Sequence, residues 1–576
     1  VNSTIGGAED SGRVNRIIAT AVGYGTIAFT LAILLFFLVI PVGVIVTKAF
    51  YNGDTFTLAY FRLLFANDLQ MTSIWNSLAI GIATTILTTL LALPLAIVNA
   101  RYEFRGKTLL SGLLLVPMVM PPFVGAIGIL RFFARHGSVN LQFMDWGWID
   151  RPIEWLGEGN VFWAVVILEV LHLYPIMYLN LTAALANIDP SLEEMANTLG
   201  VKRWRILKDI VWPLARPGYF AGAIIVFIWA LTDLGTPLLV GYEATMPVRI
   251  FTLVTDVNEN PVGFALVFFV IVLTVGIFLG SKLLMGGKKY EMMARGHVTS
   301  GIRRPSPLGT LGIYLLLLTT VVIALVPHFS VMVVSVGDKW FMTPMPEHYT
   351  IKYYLAILET ELAFTGIRNS MLLSTASMLL DVVLGLLIAY VVVRKLIPMA
   401  NLLDSLVMVP LALPGIVLAF GYVVTYTGTF LDPLDNPIPL LIIAYAIRRL
   451  PFMVRSAAAG LQQTNVALEE ASATFGASRF YTIRKIIMPL VFANLVAGGL
   501  LCFAYAMLDV SDSLILAMKD KFYPMTKAIY ALFLEHGTGE FIASALGMIG
   551  MLILAACILG ASMILGKKMG ELFRSG

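Results

Sequence analysis

Glutamate, glycine and proline recur in this chain at one fixed spacing, in two places. Residues 191–214 read SLEEMANTLGVKRWRILKDIVWPL and residues 467–490 read ALEEASATFGASRFYTIRKIIMPL. Leu192, Glu193, Glu194, Thr198, Gly200, Arg203, Ile210, Pro213 and Leu214 each reappear 276 positions later without a gap. No nucleophile or paired general base accompanies them, so their chemistry is that of a docking surface. A second set of candidates consists of ionisable groups inside apolar runs, where a charge is costly and points to function. Asp233 and Asp509 occupy equivalent places in LTDLGTP and MLDVSDS, and Asp512 adds a carboxylate. Such oxygen ligands suit a hard cation; the competing reading is a hydrated helix end or the cap of a broken helix. Glu169 and His172, three apart, share a helix face and serve either as cargo contacts or as a buried hydrogen-bonded pair. Their repeat partners are Tyr445 and Arg448, so this chemistry is not symmetric. Asp381 reads as an interhelix packing group. Gly235, Thr236, Pro237 and Gly241 fit a span interruption or a plain loop.

The elements that position the repeated segment follow from its residue order. Ser191 can cap a short helix whose first turn holds Glu193 and Glu194, where acidic side chains favour the helix dipole. Leu192, Met195, Ala196 and Leu199 give that helix a small apolar face. Gly200 and Gly476 permit the left-handed backbone of a sharp reversal. A basic helix follows, and Pro213 or Pro489 marks the first turn of the next span. One copy alone reads equally well as an amphipathic surface helix. Two copies with matched spacing argue for two docking sites.

The rest of the chain is membrane-like. Of 576 residues, 59% are hydrophobic and 13% charged, against about 45–50% apolar and about 25% charged in soluble domains. Mean hydropathy is +0.86. Cys502 and Cys557 lie in apolar runs and give neither a disulfide framework nor a thiolate metal site. The 26 methionines are scattered and read as core packing. The N-terminal stretch, with Glu9 and Asp10, has no cleavage-site pattern, and the first apolar run is expected to remain a helix.

Twelve spans are expected, at 20–47, 71–100, 108–134, 160–187, 216–240, 262–285, 309–336, 367–393, 401–427, 438–462, 490–517 and 540–566. Lysine and arginine mark the cytoplasmic side. Clusters after span 2 (Arg101, Arg105, Lys107), in both repeated segments, at 288–304, after span 8 (Arg394, Lys395) and at the two ends all fall on one face if both termini are cytoplasmic. Asn76-Ser77, Arg101, Pro117 and Pro121 match Asn369-Ser370, Arg394, Pro410 and Pro414 at an offset of 293, which then falls to 276. An insertion near Trp146, Trp148, Arg151 and Trp155 explains the change. The expected fold is an all-α polytopic membrane protein of about twelve helices in two parallel six-helix repeats, 1–285 and 309–576, joined by a cytoplasmic linker at 286–308. Parallel repeats place a pathway between the halves.

The repeated pattern Glu-Ala-Ala, three residues, Gly, nine residues, Ile-x-Leu-Pro resembles that of the permeases of binding-protein-dependent ABC importers. Glu194, Met195, Ala196, Gly200, Ile210, Trp212 and Pro213 occupy its positions in the first copy; Glu470, Ala471, Ser472, Gly476, Ile486, Met488 and Pro489 do so in the second. Met195, Trp212, Ser472 and Met488 are mild departures. Two fused permease domains resemble the ferric-iron-type permeases; thiamine and 2-aminoethylphosphonate permeases share the fused plan. The resemblance implies a bacterial inner-membrane subunit with a homodimeric ATPase at the cytoplasmic segments and a periplasmic or extracellular binding protein on the other face. The chain lacks a G-x-x-x-x-G-K-[ST] loop, so ATP and Mg are expected in the partner, with no cofactor, catalytic residue or metal ligand assigned here. Nucleic acid is not an expected partner. The Trp-rich loop is either an interfacial belt or a landing surface for the binding protein. An ion-driven secondary transporter and an intramembrane enzyme are the competing classes. Matched inserts disfavour the first, and the second lacks a catalytic constellation such as His-Glu-x-x-His.

Overall fold

The computed structural model describes residues 23–157, 159–254, 261–285 and 304–565, most of it helical. Most of the expected linker and both chain ends, with their charge clusters, lie outside the described residues. Among the described residues, nine helices are long and apolar enough to cross a membrane: Gly23–Phe50, Asp68–Arg101, Val161–Ala186, Trp204–Leu239, Val262–Ser281, Pro307–Val336, Glu361–Val393, Phe480–Met507 and Gly539–Ile564. Their lengths match the roughly 20 residues a bilayer requires.

Three of the twelve expected spans differ. The segments expected at 108–134 and 401–427 are bent pairs, Lys107–Val119 with Pro122–Asp145 at 87° and Ala400–Ala412 with Gly415–Tyr426 at 93°. Counting each pair as one span gives eleven. The cause lies in the matched prolines. Pro121 and Pro414 adopt extended backbone (ψ 139° and 144°), where proline is comfortable and a helix cannot continue. The remaining expected span is one helix, Ile438–Gln462, of 25 residues. It carries Arg448, Arg449 and Arg455 and so is less apolar than the others.

The chain packs as two compact units. Of the described residues, one unit comprises those within 55–364 and 528–551; the other comprises 23–54, 365–527 and 552–565. In the first, Asp68–Arg101 packs along Val161–Ala186 and Trp212–Thr232, around buried Leu95, Tyr174, Met177 and Leu181. The Tyr174 hydroxyl donates to the Leu114 carbonyl at 2.7 Å. Pro307–Val336, from the second half of the sequence, lies against the broken-span helix Pro122–Phe133. Close approach there depends on Gly128, whose added Cβ would meet Ser330 Cβ at 2.6 Å. In the other unit, Ile438–Gln462 packs against Met488–Met507, and Ile40–Phe50 packs on Gly415–Tyr426. A Cβ on Gly421 would meet Pro41 Cβ at 3.0 Å, and the Tyr422 hydroxyl donates to the Phe37 carbonyl at 2.7 Å. Gly128 and Gly421 are repeat equivalents at the 293 offset. Each unit therefore receives the first long helix of the other half, seated on the same glycine.

Candidate functional site: the repeated segments and the broken helices

Each repeated segment is a short helix, a glycine reversal and a long helix. The short helices are Pro190–Thr198 and Ala467–Thr474. Asp189, not Ser191, caps the first: its Oδ1 accepts from the Ser191 N–H at 2.9 Å, with Pro190 in the first turn. Asn465 Oδ1 accepts from the Ala467 N–H at 3.0 Å in the second. Both helices end identically. Gly200 N–H donates to Asn197 O and Val201 N–H to Ala196 O; Gly476 N–H donates to Ala473 O and Ala477 N–H to Ser472 O. These paired bonds form the Schellman motif, and it requires the φ of +75° and +77° found at Gly200 and Gly476.

The reversal buries one small contact and exposes the rest. Ala196 and Ile206 are buried in the first copy. In the second, the equivalent Ser472 and Thr482 share a 2.8 Å hydrogen bond, which accounts for the serine at that motif position. Glu194, Glu470 and Ala471 are exposed. So are Leu199 (82%), Trp204 (72%), Phe475 (91%) and Phe480 (74%). The expected apolar face thus splits: Ala196 packs inward, while Met195 and Leu199 face outward. Leu199 with Phe475, and Trp204 with Phe480, are repeat equivalents. Each copy presents two large apolar groups astride its glycine.

The prolines do not open new helices. Trp204–Leu239 and Phe480–Met507 run through Pro213 and Pro489 as continuous spans. A π-turn precedes each proline, at Leu207–Val211 and Ile483–Ile487. The residue before each proline bonds five residues back, Trp212 N–H to Leu207 O and Met488 N–H to Ile483 O. The wider turn relieves the clash of the proline ring with the carbonyl four residues earlier.

A further pair of contacts ties each segment to a different span. Arg101 pairs with Glu193, and Arg394 Nε pairs with Glu469 Oε1 at 2.7 Å. The repeat offsets show these residues individually; nothing in either stretch shows that they meet.

Toward the other end of the same spans, Asp233 and Asp509 are caps of broken helices. Trp212–Thr232 stops at Asp233, whose Oδ2 accepts from the Thr236 N–H at 2.9 Å and starts Gly235–Leu239. Asp509 Oδ1 accepts from the Asp512 N–H at 2.9 Å and starts Ser511–Leu516. Gly235, Thr236 and Pro237 therefore belong to a span interruption. The chain beyond it is pinned by the repeated Asn-Ser pair. Asn76 Nδ2 donates to Ala244 O and Met246 N–H to Ser77 Oγ; Asn369 Nδ2 donates to Lys521 O and Met525 N–H to Ser370 Oγ.

Of the three aspartates that suggested a hard-cation site, Asp509 and Asp512 are paired with arginines, whereas Asp233 caps Gly235–Leu239. Arg448 Nη1 donates to Asp509 Oδ2 at 2.6 Å and Asp512 Oδ2 at 2.8 Å. Arg449 Nη2 donates to Asp509 Oδ2 and to Tyr505 O. Asp509, Asp512 and Arg449 are each at most 5% exposed. Two carboxylates facing two guanidiniums offer no net charge to a cation. Two adjacent arginines inside an apolar helix were the available signal, since such charges must be paired. In the other unit, Glu169 is buried and accepts from the Thr236 hydroxyl at 3.2 Å. His172 instead lines a small cavity with Pro117, Met120, Pro122 and His328, where the broken span bends. Glu169 and His172 thus serve different surroundings. Arg448 stands in the place equivalent to His172: a Cβ on Gly415, beside the other bend, would meet its guanidinium. Among the described residues, no group of three or more His, Cys, Asp and Glu is placed to hold a metal ion.

Repeated Schellman-capped segments, paired broken helices and many apolar spans fit a duplicated membrane protein, and the family follows from direct comparison. The chain belongs to the family described as binding-protein-dependent transport system inner membrane component, whose model matches twice, over residues 89–285 and 381–569. It is 28% identical over 555 residues to the ferric transport system permease protein FbpB of Actinobacillus pleuropneumoniae, covering 94% of this chain and 78% of that one. It is likewise 28% identical to a putative ferric transport system permease protein, FbpB 1, of Haemophilus influenzae, covering 85% and 77%. The molybdenum transport permease ModB of Escherichia coli is 31% identical over 189 residues, 31% of this chain and 80% of that one. The protein is a multi-pass inner-membrane permease of an ABC-type importer, with two permease domains in one chain. Its family forms the membrane passage rather than the ATPase.

Proposed function

We propose that this chain forms the translocation pathway for ferric iron, working by alternating access and driven by a homodimeric ATPase that binds ATP and Mg. One ATPase subunit seats on each repeated segment, at Glu194 and Glu470 and at the apolar groups beside Gly200 and Gly476. A binding protein delivers cargo to the opposite face, and both termini are cytoplasmic. The observation that carries the coupling is the duplicated Schellman-capped helix with exposed Leu199 and Trp204 in one copy and Phe475 and Phe480 in the other. Aromatic side chains such as Trp204, Phe475 and Phe480 are of the kind enriched at protein interfaces. The support for iron comes from the two ferric relatives that span most of the chain. Asp509 and Asp512 add none, because they are paired with Arg448 and Arg449. Selectivity accordingly resides in the binding protein, and the membrane subunit gives passage.

Two measurements test this. Affinity purification from cells that also express the ATPase and the binding protein is expected to capture an ATPase in a ratio of two per permease. Replacing Gly200 and Gly476 together by valine abolishes that capture, and retention of the ATPase would refute the docking assignment. For cargo, ferric iron is expected to bind the partner binding protein tightly and to enter proteoliposomes with ATP. Binding of molybdate, thiamine or a phosphonate without iron would refute the cargo and leave the coupling intact.

A further inference from the structure

Neighbouring glutamates in each segment have opposite fates. Glu194 and Glu470 are exposed, whereas Glu193 and Glu469 turn back toward the membrane helices. Glu193 meets Arg101, the last residue of Asp68–Arg101, with side chains only 14% and 16% exposed. Glu469 meets Arg394, one residue beyond Glu361–Val393, with side chains 15% and 9% exposed. The arginines are related by the 293 offset and the glutamates by 276. The same contact is therefore formed twice across the insertion that separates the two registers. The second copy is braced: the Tyr390 hydroxyl donates to Glu469 Oε2 at 3.0 Å, and Arg394 Nη2 donates to Thr464 Oγ1 at 2.7 Å. The equivalent residues in the first copy, Ile97 and Ile188, offer no such polar group.

The placement of these pairs bears on how force would travel. At its C-terminal end, each short helix reaches the next span only through a glycine reversal, where the backbone is soft. At its N-terminal end it follows the preceding span after a few residues and is tied to a third span by an ion pair that is largely withdrawn from water and so weakly screened. We propose that Arg101–Glu193 and Arg394–Glu469 are positioning pairs that transmit displacement of each docking segment into Asp68–Arg101 and Glu361–Val393. The segment would then drive three spans together, the preceding and following spans through the chain and a third through the ion pair. This rests on the assignment of the segments as ATPase contacts.

The test uses the full transporter in proteoliposomes with its ATPase and with the binding protein as isolated from cells. ATPase capture and binding-protein-stimulated ATP hydrolysis are read separately. R101E and E193R are each expected to retain capture while stimulation falls by at least about fivefold, the lower range of a typical coupling between sites. The swapped double variant R101E/E193R restores most of it. The neutral double variant R101Q/E193Q leaves no buried unpaired charge, keeps the native elution profile, and still loses stimulation. Full stimulation in R101Q/E193Q, or single reversals that the swap does not rescue, would overturn the proposal. Failure of the wild type to capture an ATPase would instead overturn the docking assignment beneath it.

Discussion

Arg449 shows most directly how a single residue is constrained here. It is 5% exposed and its guanidinium bonds both Asp509 and the Tyr505 carbonyl. Removing one partner of a buried pair leaves a charge without compensation, at a cost of about 3–5 kcal/mol. R449A is accordingly expected to lower the melting temperature of the purified permease strongly. The double replacement R449M/D509N removes both charges and recovers part of the loss. Melting can be followed by size-exclusion chromatography after heating; an unchanged R449A profile would mean the charges are hydrated rather than paired. Sequence reading placed Asp509 and Asp512 together because they are near neighbours. It missed Arg448 and Arg449 as their partners because those lie on another helix, some 60 residues away in the chain. Glu193 and Glu469 were legible as repeats for the same local reason, and their arginines were legible too. Only folding shows that the two registers converge on one contact.

At the scale of the element, proline is the recurring device and was only half legible. Three prolines, Pro41, Pro213 and Pro489, each follow a π-turn that ends two residues earlier. Pro121 and Pro414 instead break their spans by 87° and 93°. Hydropathy windows average over both events and so give continuous spans, while proline's preference for a first helical turn suggests a fresh helix at Pro213. What separates the cases is context. At Pro213 and Pro489 the preceding residue stays helical. Met120 and Leu413, before the other two, are extended (ψ 126°). A π-turn holds one extra residue, so converting it to α-helix rotates everything on one side by about 100°. P489A removes the reason for the turn. The variant is expected to insert and to melt no lower than wild type, because proline in a helix interior is itself destabilising. The rotation would swing Phe480 and the Gly476 reversal away from their place, and ATPase capture would fall. Normal capture by P489A would show that the π-turn persists without its proline.

For the molecule as a whole, the repeat in the sequence and the unit in space are different objects. The family model matches two successive stretches, yet Ile40–Phe50 packs on Gly415–Tyr426, and Pro307–Val336 packs on Pro122–Phe133. The fused-repeat plan could be read from motif spacing, which is local. The exchange of first helices could not, because Gly128 and Gly421 look like any membrane-helix glycine until their neighbours are known. Packing without room for a Cβ makes these glycines a direct probe of the exchange. G421L would place a side chain against Pro41 and Ile45, and overpacking of this kind costs about 1–3 kcal/mol. The same logic extends to severed chains. Residues 1–303 expressed alone leave the Gly128 face of Pro122–Phe133 without Pro307–Val336, and residues 304–576 alone leave the Gly421 face without Ile40–Phe50. Each fragment is expected to be degraded by itself and recovered when both are co-expressed, copurifying through a tag on either one. G128L or G421L would weaken that rescue, whereas leucine at Gly43, which has no atom within 4 Å of an added Cβ, would not. Stable accumulation of either fragment alone would mean that each sequence half completes its own core without the exchanged helix.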